Sequence, residues 1–404
     1  MTGPAVGTAV LKQLNTVRVL EDLRRRDEPV RISEVAAAAR LTRPTVVQIL
    51  DELSDRGWVV HHDPLESLGR PAQRVAVDPG AFTVLGIDIG PHRIAAEVSD
   101  ARGAALAFSS ERHEWRSAGD VLRLCGTVIE EVLSTAGVDP AQVRAITVAS
   151  IGVIEDNTKV HYARGIAEWS RLDLTRALGE YVGGAISIEN DANLAARAMR
   201  DLPNAPPSFL TVQWGERLGA GLLLDGRVFR GRASAAGEIG ALRVTDPWNG
   251  ATTGLEEVVG AARIASIVRE EVAGLPQSAL AIGLDRQDPT EAVFRLATAG
   301  DPLAVGIVRE VALIVARALA PICLALDLDR VFVTGGIARA GDAVAAALQH
   351  GLTEFAASPI TVEVSPLAEN TVVRGAVSSA IDEAWDILYR ESAMPPAPPS
   401  TATA

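Results

Sequence analysis

Cysteines, lysines and long apolar runs are scarce in this 404-residue chain. Its two cysteines, Cys125 and Cys323, lie far apart and have no histidine close by in sequence, so we expect neither a disulfide framework nor a metal site. No apolar run reaches the roughly 18 residues that a membrane helix needs, and the first residues lack the basic start and apolar core of a signal peptide. These absences predict a cytoplasmic protein that does not associate with a membrane. Its length predicts two or three domains.

Negative charge is distributed unevenly along the chain. The net charge is −13, but residues 1–78 are neutral because they hold 11 basic and 11 acidic residues. The whole excess of negative charge therefore lies in the remaining part. An acidic surface repels DNA, so any contact with DNA is expected to come from the amino-terminal part.

The pattern of residues 1–80 predicts a winged helix-turn-helix. Apolar residues at helical spacing predict a first helix over residues 11–25. We expect Ser33 to cap a second, short helix, and Thr42 to cap a third helix with Pro44 in its first turn. Two β-rich runs separated by a polar loop then predict a hairpin, which forms the wing.

The third helix of such a domain lies in the major groove, with its first turn near the base edges. Arginine can pair with guanine, glutamine can pair with adenine, and threonine can meet a phosphate or a thymine methyl group. The wing tip is slim and basic, which suits a minor groove. We therefore expect double-stranded DNA as a partner, contacted by Thr42, Arg43, Thr45, Gln48 and Arg70. The alternative is a winged helix that binds a protein, which the local neutrality favours.

Residues 81–390 predict an α/β body made of two similar halves. Three strands, a helix, a strand, a helix and a strand follow one another from residue 82 to residue 188, and a similar pattern starts again at residue 208. This order is typical of the duplicated actin-like ATPase fold. We expect one half at about 81–190 plus the carboxy-terminal helix, a second half at about 191–370, and a ligand in the cleft between them. The Pro/Ala-rich segment 391–404 is expected to be disordered.

A polar cluster stands at a strand-to-helix junction in the stretch SIENDANLAARA, residues 187–198. An apolar run ends at Ile188, and the polar cluster Glu189, Asn190 and Asp191 follows it. A helix is predicted from Ala192 onward. Such turns hold ligand contacts in α/β proteins, and an amide beside a carboxylate suits a polyhydroxyl ligand. The alternative is that Asn190 and Asp191 only cap the helix.

Three segments make the chain resemble the ROK family: IENDAN at 188–193, AAGEIGAL at 235–242 and TGGIARAGD at 334–342. This family groups bacterial sugar kinases with sugar-responsive repressors, and only the repressor branch carries a winged helix in front. The resemblance covers about residues 14–389. It implies a sugar-binding cleft, in which Asp191 is the remnant of the kinase's general base. The sugar contacts that it implies are Asn190, Asp191, Glu238 and Glu256.

The chain departs from the family pattern at the zinc site. The residues at the family's zinc-ligand positions are Ala241, Pro247, Asn249 and Gly254. None of these side chains binds zinc. We therefore expect the surrounding loop to be held by apolar packing, with Trp248 as a candidate.

The chain also departs from the family pattern in both phosphate loops. The first loop, at 88–93, carries Pro91 and His92, and proline removes a backbone N–H. The second loop, at 215–221, carries Glu216 and Arg217. Phosphoryl transfer depends on positioning and charge stabilisation, so these changes predict that the chain is not an enzyme and needs no cofactor. The glycine pair at 335–336 matches the adenosine side of the family's site, but a tight turn after a strand explains it without a nucleotide.

These features together predict a transcriptional regulator, with repression expected, of carbohydrate-related genes. A homodimer or homotetramer would place two winged helices on a pseudo-palindromic operator, and a sugar or sugar derivative would act as the effector. Two alternatives stay open. One is an active ATP-dependent sugar kinase with an appended regulatory domain, and the other is a protein-interaction scaffold that binds no ligand.

Overall fold

The computed structural model describes an amino-terminal helical domain followed by two α/β lobes. None of the helices in the described part of the chain combines the length and apolar character needed to cross a membrane. The described residues are 5–62, 73–115, 117–163, 168–170, 172–284, 288–355 and 358–392.

Three helices and a small antiparallel sheet form the amino-terminal domain, which confirms the predicted winged helix-turn-helix. The elements are α1 (Ala5–Arg24), β1 (Val30–Arg31), α2 (Ile32–Ala39), α3 (Arg43–Asp55), β2 (Val59–His62) and β3 (Arg74–Val77). The strand order is β1-β3-β2. Arg70 and the rest of the predicted wing tip, residues 68–71, lie outside the described residues.

Two helix starts differ from the prediction. Helix α1 begins at Ala5 rather than near residue 11. Helix α2 begins at Ile32, so Ser33 lies inside the helix and is not its cap. The N-cap position is taken by Arg31, whose backbone is extended and whose side chain makes no capping hydrogen bond. The reason is that strand β1 pairs with β3 and leads directly into the helix.

The first lobe is a mixed five-stranded sheet with helices against it. Its elements are β4 (Thr83–Ile89), β5 (Arg93–Asp100), β6 (Ala105–Arg112), α4 (Ala118–Ala136), β7 (Val143–Ser150), β8 (Val153–Glu155), β9 (Lys159–Tyr162), α5 (Leu174–Leu178) and β10 (Ala185–Asn190). The sheet order is β10-β7-β4-β5-β6. Strand β4 is parallel to β7 and antiparallel to β5. Strands β8 and β9 form a separate hairpin.

Helix α6 leads into the second lobe, which has its own five-stranded sheet. The elements are α6 (Asp191–Arg200), β11 (Phe209–Trp214), β12 (Leu218–Leu224), β13 (Arg227–Val228), β14 (Arg243–Thr245), β15 (Thr252–Gly254), α7 (Leu255–Val259), α8 (Ala261–Val272), α9 (Ala279–Leu284), α10 (Pro289–Thr298), α11 (Pro302–Leu326), β16 (Arg330–Thr334), α12 (Asp342–Phe355) and β17 (Thr361–Val364). Strands β14 and β15 form a hairpin outside the main sheet.

The two main sheets share one topology. In the second lobe the order is β13-β12-β11-β16-β17. In both sheets the strand that comes first in the chain is central, pairs antiparallel with the next strand and pairs parallel with a later one. This repetition confirms the predicted duplicated actin-like fold. Strand β17 was missing from the prediction, which placed only one strand after the helix-rich segment.

The last helix, α13 (Thr371–Glu391), returns to the first lobe. Two glycines let it approach closely. A Cβ atom at Gly86 on β4 would lie 2.7 Å from the amide nitrogen of Val377, and one at Gly375 would collide with the carbonyl oxygen of Leu194 on α6. Helix α13 is therefore in backbone contact with both β4 and α6.

The winged domain is packed directly against the first lobe. Leu20 and Leu23 of α1 belong to the same buried cluster as Trp385 and Leu388 of α13. The ring of Phe82, in the segment that joins the two domains, meets Trp385 edge to face at 5.6 Å. A shared apolar core of this kind restrains the orientation of the winged domain.

Candidate functional site

A cavity of about 1150 Å³ runs between the two lobes. This volume is sufficient for a small-molecule ligand. We call the four predicted sugar contacts the sugar end: Asn190, Asp191, Glu238 and Glu256. We call the loops at 88–93 and 215–221 the phosphate end. The cavity lining includes Asp191 from the sugar end and residues from both loops of the phosphate end.

Asn190 is largely used by the fold. It is the N-cap of α6, and its Oδ1 accepts hydrogen bonds from the backbone N–H groups of Ala192 at 2.9 Å and Asn193 at 3.2 Å. Its Nδ2 donates to the carbonyl oxygen of Gly152 at 3.0 Å. Only the second N–H of the amide is left to meet a ligand. The capping role weighed for this residue is therefore present in the structure.

Asp191 is the first residue of α6 and faces the cavity. Its Oδ1 accepts a hydrogen bond from the backbone N–H of Ala192 at 2.9 Å, and a carboxylate has further acceptor sites. Burial, together with the charge of Glu238, raises the pKa of Asp191 to about 6, while the hydrogen bond from the backbone N–H of Ala192 and the charge of Arg217 oppose the rise. At neutral pH this side chain is mostly ionised and can accept hydrogen bonds from hydroxyl groups.

Asp88, at the end of β4, is a second acidic group in the cavity. Burial and the nearby charge of Asp191 raise its pKa to about 7, and the charge of Arg93 opposes the rise. At neutral pH Asp88 is therefore about half protonated and can donate as well as accept a hydrogen bond. Two carboxyl groups with raised pKa values in one cleft are typical of functional sites. The prediction used Asp88 only to mark a loop; its position at a strand end was the available signal.

Glu238 and Glu256 are in different environments. Glu238 is exposed, and its charge acts on Asp191. Glu256 is half-buried, and its Oε2 accepts a hydrogen bond from the backbone N–H of Leu218 at 2.9 Å. A Cβ atom at Gly240 would lie 3.2 Å from the same oxygen. Neither glutamate lines the main cavity, and Glu256 supports the start of β12.

A buried network holds the turn between β10 and α6. Glu189 accepts hydrogen bonds at Oε1 from the backbone N–H of Asn190 and from Nδ2 of Asn193, both at 2.9 Å. Its Oε2 accepts one from Nε of Arg230 at 2.6 Å. Sequence reasoning missed Arg230, which lies 41 residues away and carries no local pattern. The network fixes the backbone from which Asp191 enters the cleft.

The two phosphate-end loops contact each other across the cleft. Nε2 of His92 lies 2.6 Å from Oε2 of Glu216, so this pair joins the first lobe to the second. Arg217 places a positive charge close enough to lower the pKa of Asp191. A phosphate cradle needs free backbone N–H groups and no competing anion. Pro91 and Glu216 contradict both needs.

The glycine pair after β16 divides into two cases. Gly335 has φ of +86°, and a Cβ atom there would lie 2.5 Å from the carbonyl oxygen of Trp214. Packing of β16 against β11 is therefore enough to require this glycine. A Cβ atom at Gly336 would meet nothing closer than 3.8 Å, at Arg339. Gly336 lines the cavity, and packing does not explain it.

A polar residue organises the loop at the family's zinc position. Asp246 is buried and accepts hydrogen bonds from the backbone N–H of Trp248 at 2.8 Å and from Nδ2 of Asn249 at 2.9 Å. Arg263 pairs with Asp246 at 3.4 Å and stacks over Trp248 at 5.5 Å. The expectation of apolar packing was therefore incomplete, because a buried aspartate is the centre of the loop. In the described residues, no group of three or more His, Cys, Asp or Glu side chains is placed to hold a metal ion.

Four of the five predicted DNA-contact residues lie at the N-cap and in the first two turns of α3, and the fifth, Arg70, lies outside the described residues. Oγ1 of Thr42 accepts a hydrogen bond from the backbone N–H of Thr45 at 3.4 Å, and the two hydroxyl groups lie 2.8 Å apart. Thr42 therefore caps α3, as predicted. Arg43 and Gln48 are exposed on the same helix. The first two turns of α3 thus present a cation and an amide to solvent, which is the chemistry needed to meet base edges.

Comparison with known proteins identifies two domains. The profile of the ROK family matches residues 84–383, and the profile of the IclR helix-turn-helix domain matches residues 14–63. A glucokinase from Halalkalibacterium halodurans is 29% identical over 51% of this chain and 65% of its own length. A xylose repressor from Caldicellulosiruptor bescii is 25% identical over 57% of this chain and 59% of its own length. The chain thus spans about three fifths of the length of these curated relatives.

One solved structure extends over both domains. It is a ROK family transcriptional regulator described as a homologue of the Escherichia coli MLC protein, and it covers 95% of this chain and 99% of its own. The TM-score is 0.76 at 20% sequence identity. At this identity the likeness establishes the fold, including a winged domain in front of two lobes.

Proposed function

The chain belongs to the ROK family, and we propose that it is a sequence-specific, DNA-binding transcriptional regulator that responds to a sugar or sugar derivative. One observation carries the proposal. A helix-turn-helix domain is packed on a kinase-like body whose cleft keeps the carboxylate of Asp191, while its two phosphate loops are joined by His92 and Glu216. The repressor among the relatives supports the same function.

In this proposal residues 1–80 bind the operator and residues 81–390 bind the effector and form a homodimer or homotetramer. Two copies would place two α3 helices on a pseudo-palindromic site. Repression is the expected mode of action. The side chains proposed to contact DNA are Thr42, Arg43, Thr45, Gln48 and Arg70.

The effector is proposed to bind at the sugar end. Asp191 accepts hydrogen bonds from ligand hydroxyl groups, and Asn190 offers its remaining N–H. Glu238 and Glu256 do not line the main cavity; Glu238 acts through its charge on Asp191, and Glu256 supports the start of β12. Asp88, half protonated at neutral pH, adds a group that can donate. For the sugar to release DNA, it must bind the two conformations of the protein with affinities that differ by a few kcal/mol.

Phosphoryl transfer is not part of the proposed function. Asp191 alone, without a phosphate cradle, gives a base but no means of orienting or stabilising a transferring phosphoryl group. We propose that the kinase chemistry has been lost and that the cleft is a sensor.

Operator binding tests the effector site. An operator is selected from a random duplex library with the wild-type protein, and its dissociation constant is measured with and without D-glucose, D-xylose or N-acetyl-D-glucosamine. We expect one sugar to weaken wild-type binding at least about tenfold, a typical coupling, and Asp191→Asn to abolish that response. Asp225→Asn, in the turn between β12 and β13, is the matched control. A full response in Asp191→Asn would refute the proposed pocket.

The same titration tests the DNA-contacting helix. Arg43→Ala combined with Gln48→Ala should weaken operator binding by about 2–6 kcal/mol, since each base-edge pair is worth about 1–3 kcal/mol. Arg25→Ala, an exposed arginine just after the end of α1, is the control for loss of charge alone. Undiminished binding by the double variant would show that α3 does not read the operator.

A further inference from the structure

One carboxylate on α13 joins the effector-side helix to the winged domain. Asp382 forms ion pairs with Arg197 and Arg200 of α6 and with Arg24 of α1. Arg24 meets Oδ1, while the two arginines of α6 meet Oδ2, with the Arg200 contact at 3.7 Å. One turn earlier on α13, Oγ of Ser378 accepts hydrogen bonds from Arg197 and Arg200, each at 3.2 Å.

The two ends of α6 have different partners. Its first turn holds Asn190 and Asp191 at the cleft, and its last turn holds Arg197 and Arg200 at Asp382. A helix of ten residues spans about 15 Å. Because α6 is one short, regular helix, a tilt or shift imposed at the cleft moves the two arginines with it.

Helix α13 is in direct contact with α6, so a movement of α6 displaces it. Gly375 lets the backbone of α13 touch that of α6 at Leu194. On the other side, the guanidinium group of Arg24 lies over the ring of Trp385 at 5.4 Å. The contact of α1 with α13 thus combines an ion pair to Asp382 with packing on an aromatic ring.

Charge makes the cluster sensitive to geometry. Three guanidinium groups meet the carboxylate of Asp382, and Arg200 also pairs with Asp201 at 2.8 Å. A displacement of Arg197 or Arg200 therefore changes how strongly Asp382 can compensate the charge of Arg24. The side chains of Arg197, Arg200 and Arg24 are 13%, 28% and 29% exposed, so solvent screens these interactions only in part.

We infer that Asp382 couples the cleft to the DNA-binding domain: its carboxylate transmits movement of α6 to Arg24 and so to α1. The inference rests on the proposed function for its biological use, because it names the contact through which an effector at Asp191 would alter the winged domain. The contact itself is tested without any ligand.

The first test is a mutant cycle read by hydrogen exchange on the full chain. Asn190→Ala removes the cap of α6 and so perturbs the cleft end of the helix. We expect amides in the last two turns of α1 to exchange at least about threefold faster in this variant, since contacts within one network commonly couple by this amount or more. In an Asp382→Asn background the same cap removal should leave α1 exchange unchanged within about 1.5-fold.

Two further backgrounds make the cycle specific. Glu383→Gln removes the same charge from the next residue of α13, whose partner Arg390 lies on that helix at 3.2 Å, so the effect of cap removal should persist. Arg24→Gln removes the ion pair between α1 and Asp382 and leaves the ion pairs between α6 and Asp382 intact. Cap removal should therefore no longer speed α1 exchange in this background, which provides a test even if Asp382→Asn folds poorly. Arg24→Lys should restore part of the effect of cap removal. The inference would be overturned if cap removal speeded α1 exchange as much in the Asp382→Asn and Arg24→Gln backgrounds as in the wild type. It would also be overturned if cap removal had no effect on α1 exchange in the wild type.

The second test uses the selected operator and D-glucose, D-xylose and N-acetyl-D-glucosamine as probes. Without sugar, we expect the operator dissociation constant of Asp382→Asn to lie within about twofold of the wild-type value. Any change in that constant caused by a sugar should be at least tenfold smaller in Asp382→Asn than in the wild type. A full sugar response in Asp382→Asn would overturn the inference. If no probe alters wild-type operator binding while the exchange cycle is non-additive, the proposed effector response fails and the coupling through Asp382 stands.

Discussion

The sugar end and the phosphate end of the cleft use their polar side chains in opposite ways. At the sugar end, Asp191 faces the cavity with acceptor capacity to spare, and a buried network around Glu189 fixes its position. At the phosphate end, His92 and Glu216 pair with each other from opposite lobes. The sugar end leaves acceptor capacity open to the cavity, whereas the phosphate end uses its polar side chains in a contact between the two lobes.

The difference fits the proposal that a kinase-like cleft has become a sensor. The duplicated sheets and the entry of α6 into the cleft are retained, so the ligand end keeps its geometry. We propose that the chemistry has been lost through a few loop side chains, which leave the core untouched.

Catalysis is where the two ends should differ most. We expect no sugar-dependent release of ADP from MgATP with D-glucose, D-xylose or N-acetyl-D-glucosamine. One lost electrostatic donor costs roughly 10²–10³ in rate, and Pro91 and Glu216 alter both loops. A coupled assay, with the Halalkalibacterium halodurans glucokinase in parallel, measures this. Sugar-dependent turnover that Asp191→Asn abolishes would mean that the phosphate end is still functional.

Asp88 of the phosphate end lies close enough to Asp191 of the sugar end for the two charges to interact. The pH dependence of stability tests this burial and this interaction. Folded Asp88 has a pKa of about 7, raised from 3.8 by burial and by Asp191. Between these values the folded protein binds a proton that the unfolded chain has released, so the free energy of unfolding falls as pH rises from about 4 to about 7. Asp88→Asn removes this loss and should be more stable than the wild type at pH 8, by up to about 4 kcal/mol.

Thermal unfolding of the wild type and of Asp88→Asn at several pH values between 4 and 8 measures this effect. Asp225→Asn is the control, and it should keep the wild-type profile. Identical profiles for Asp88→Asn and the wild type would contradict the burial of a titrating carboxyl group at this position.

A pair of charge-removing substitutions compares the two ends in stability. Glu189→Gln breaks a buried network with Arg230 and Asn193 and should lower the free energy of unfolding by about 2–3 kcal/mol. Glu216→Gln breaks an exposed pair with His92 and should cost less than about 1 kcal/mol. Urea unfolding followed by tryptophan fluorescence gives both values. Equal costs would mean that the phosphate-end pair is structural rather than a surface contact.

The local patterns of the sequence were enough to predict much of the fold. Helical spacing and the Thr42 cap located α3, and the repeated strand order located both sheets. The prediction missed β17, which has only four residues and lies at the edge of its sheet. It also assigned Ser33 as a cap, because a capping residue is recognised by type, whereas the actual start of α2 is set by the pairing of β1 with β3.

The candidate site was less predictable because its contacts are distant in sequence. His92 and Glu216 were recognised separately as departures from the family pattern, but their pairing depends on how the two lobes meet. Arg230 and Asp382 carry no local signal at all. Each becomes visible only when a buried or shared carboxylate is followed to its partners.

We propose that the cleft binds a sugar and does not bind ATP. Thermal unfolding of the wild type and of Asp191→Asn, with D-glucose, D-xylose, N-acetyl-D-glucosamine or MgATP, tests it directly. A sugar at a hundredfold excess over its dissociation constant should stabilise the wild type by about 2.7 kcal/mol and leave Asp191→Asn unchanged, while MgATP should have no effect on either. Stabilisation of the wild type by MgATP, with no response to any sugar, would contradict the account.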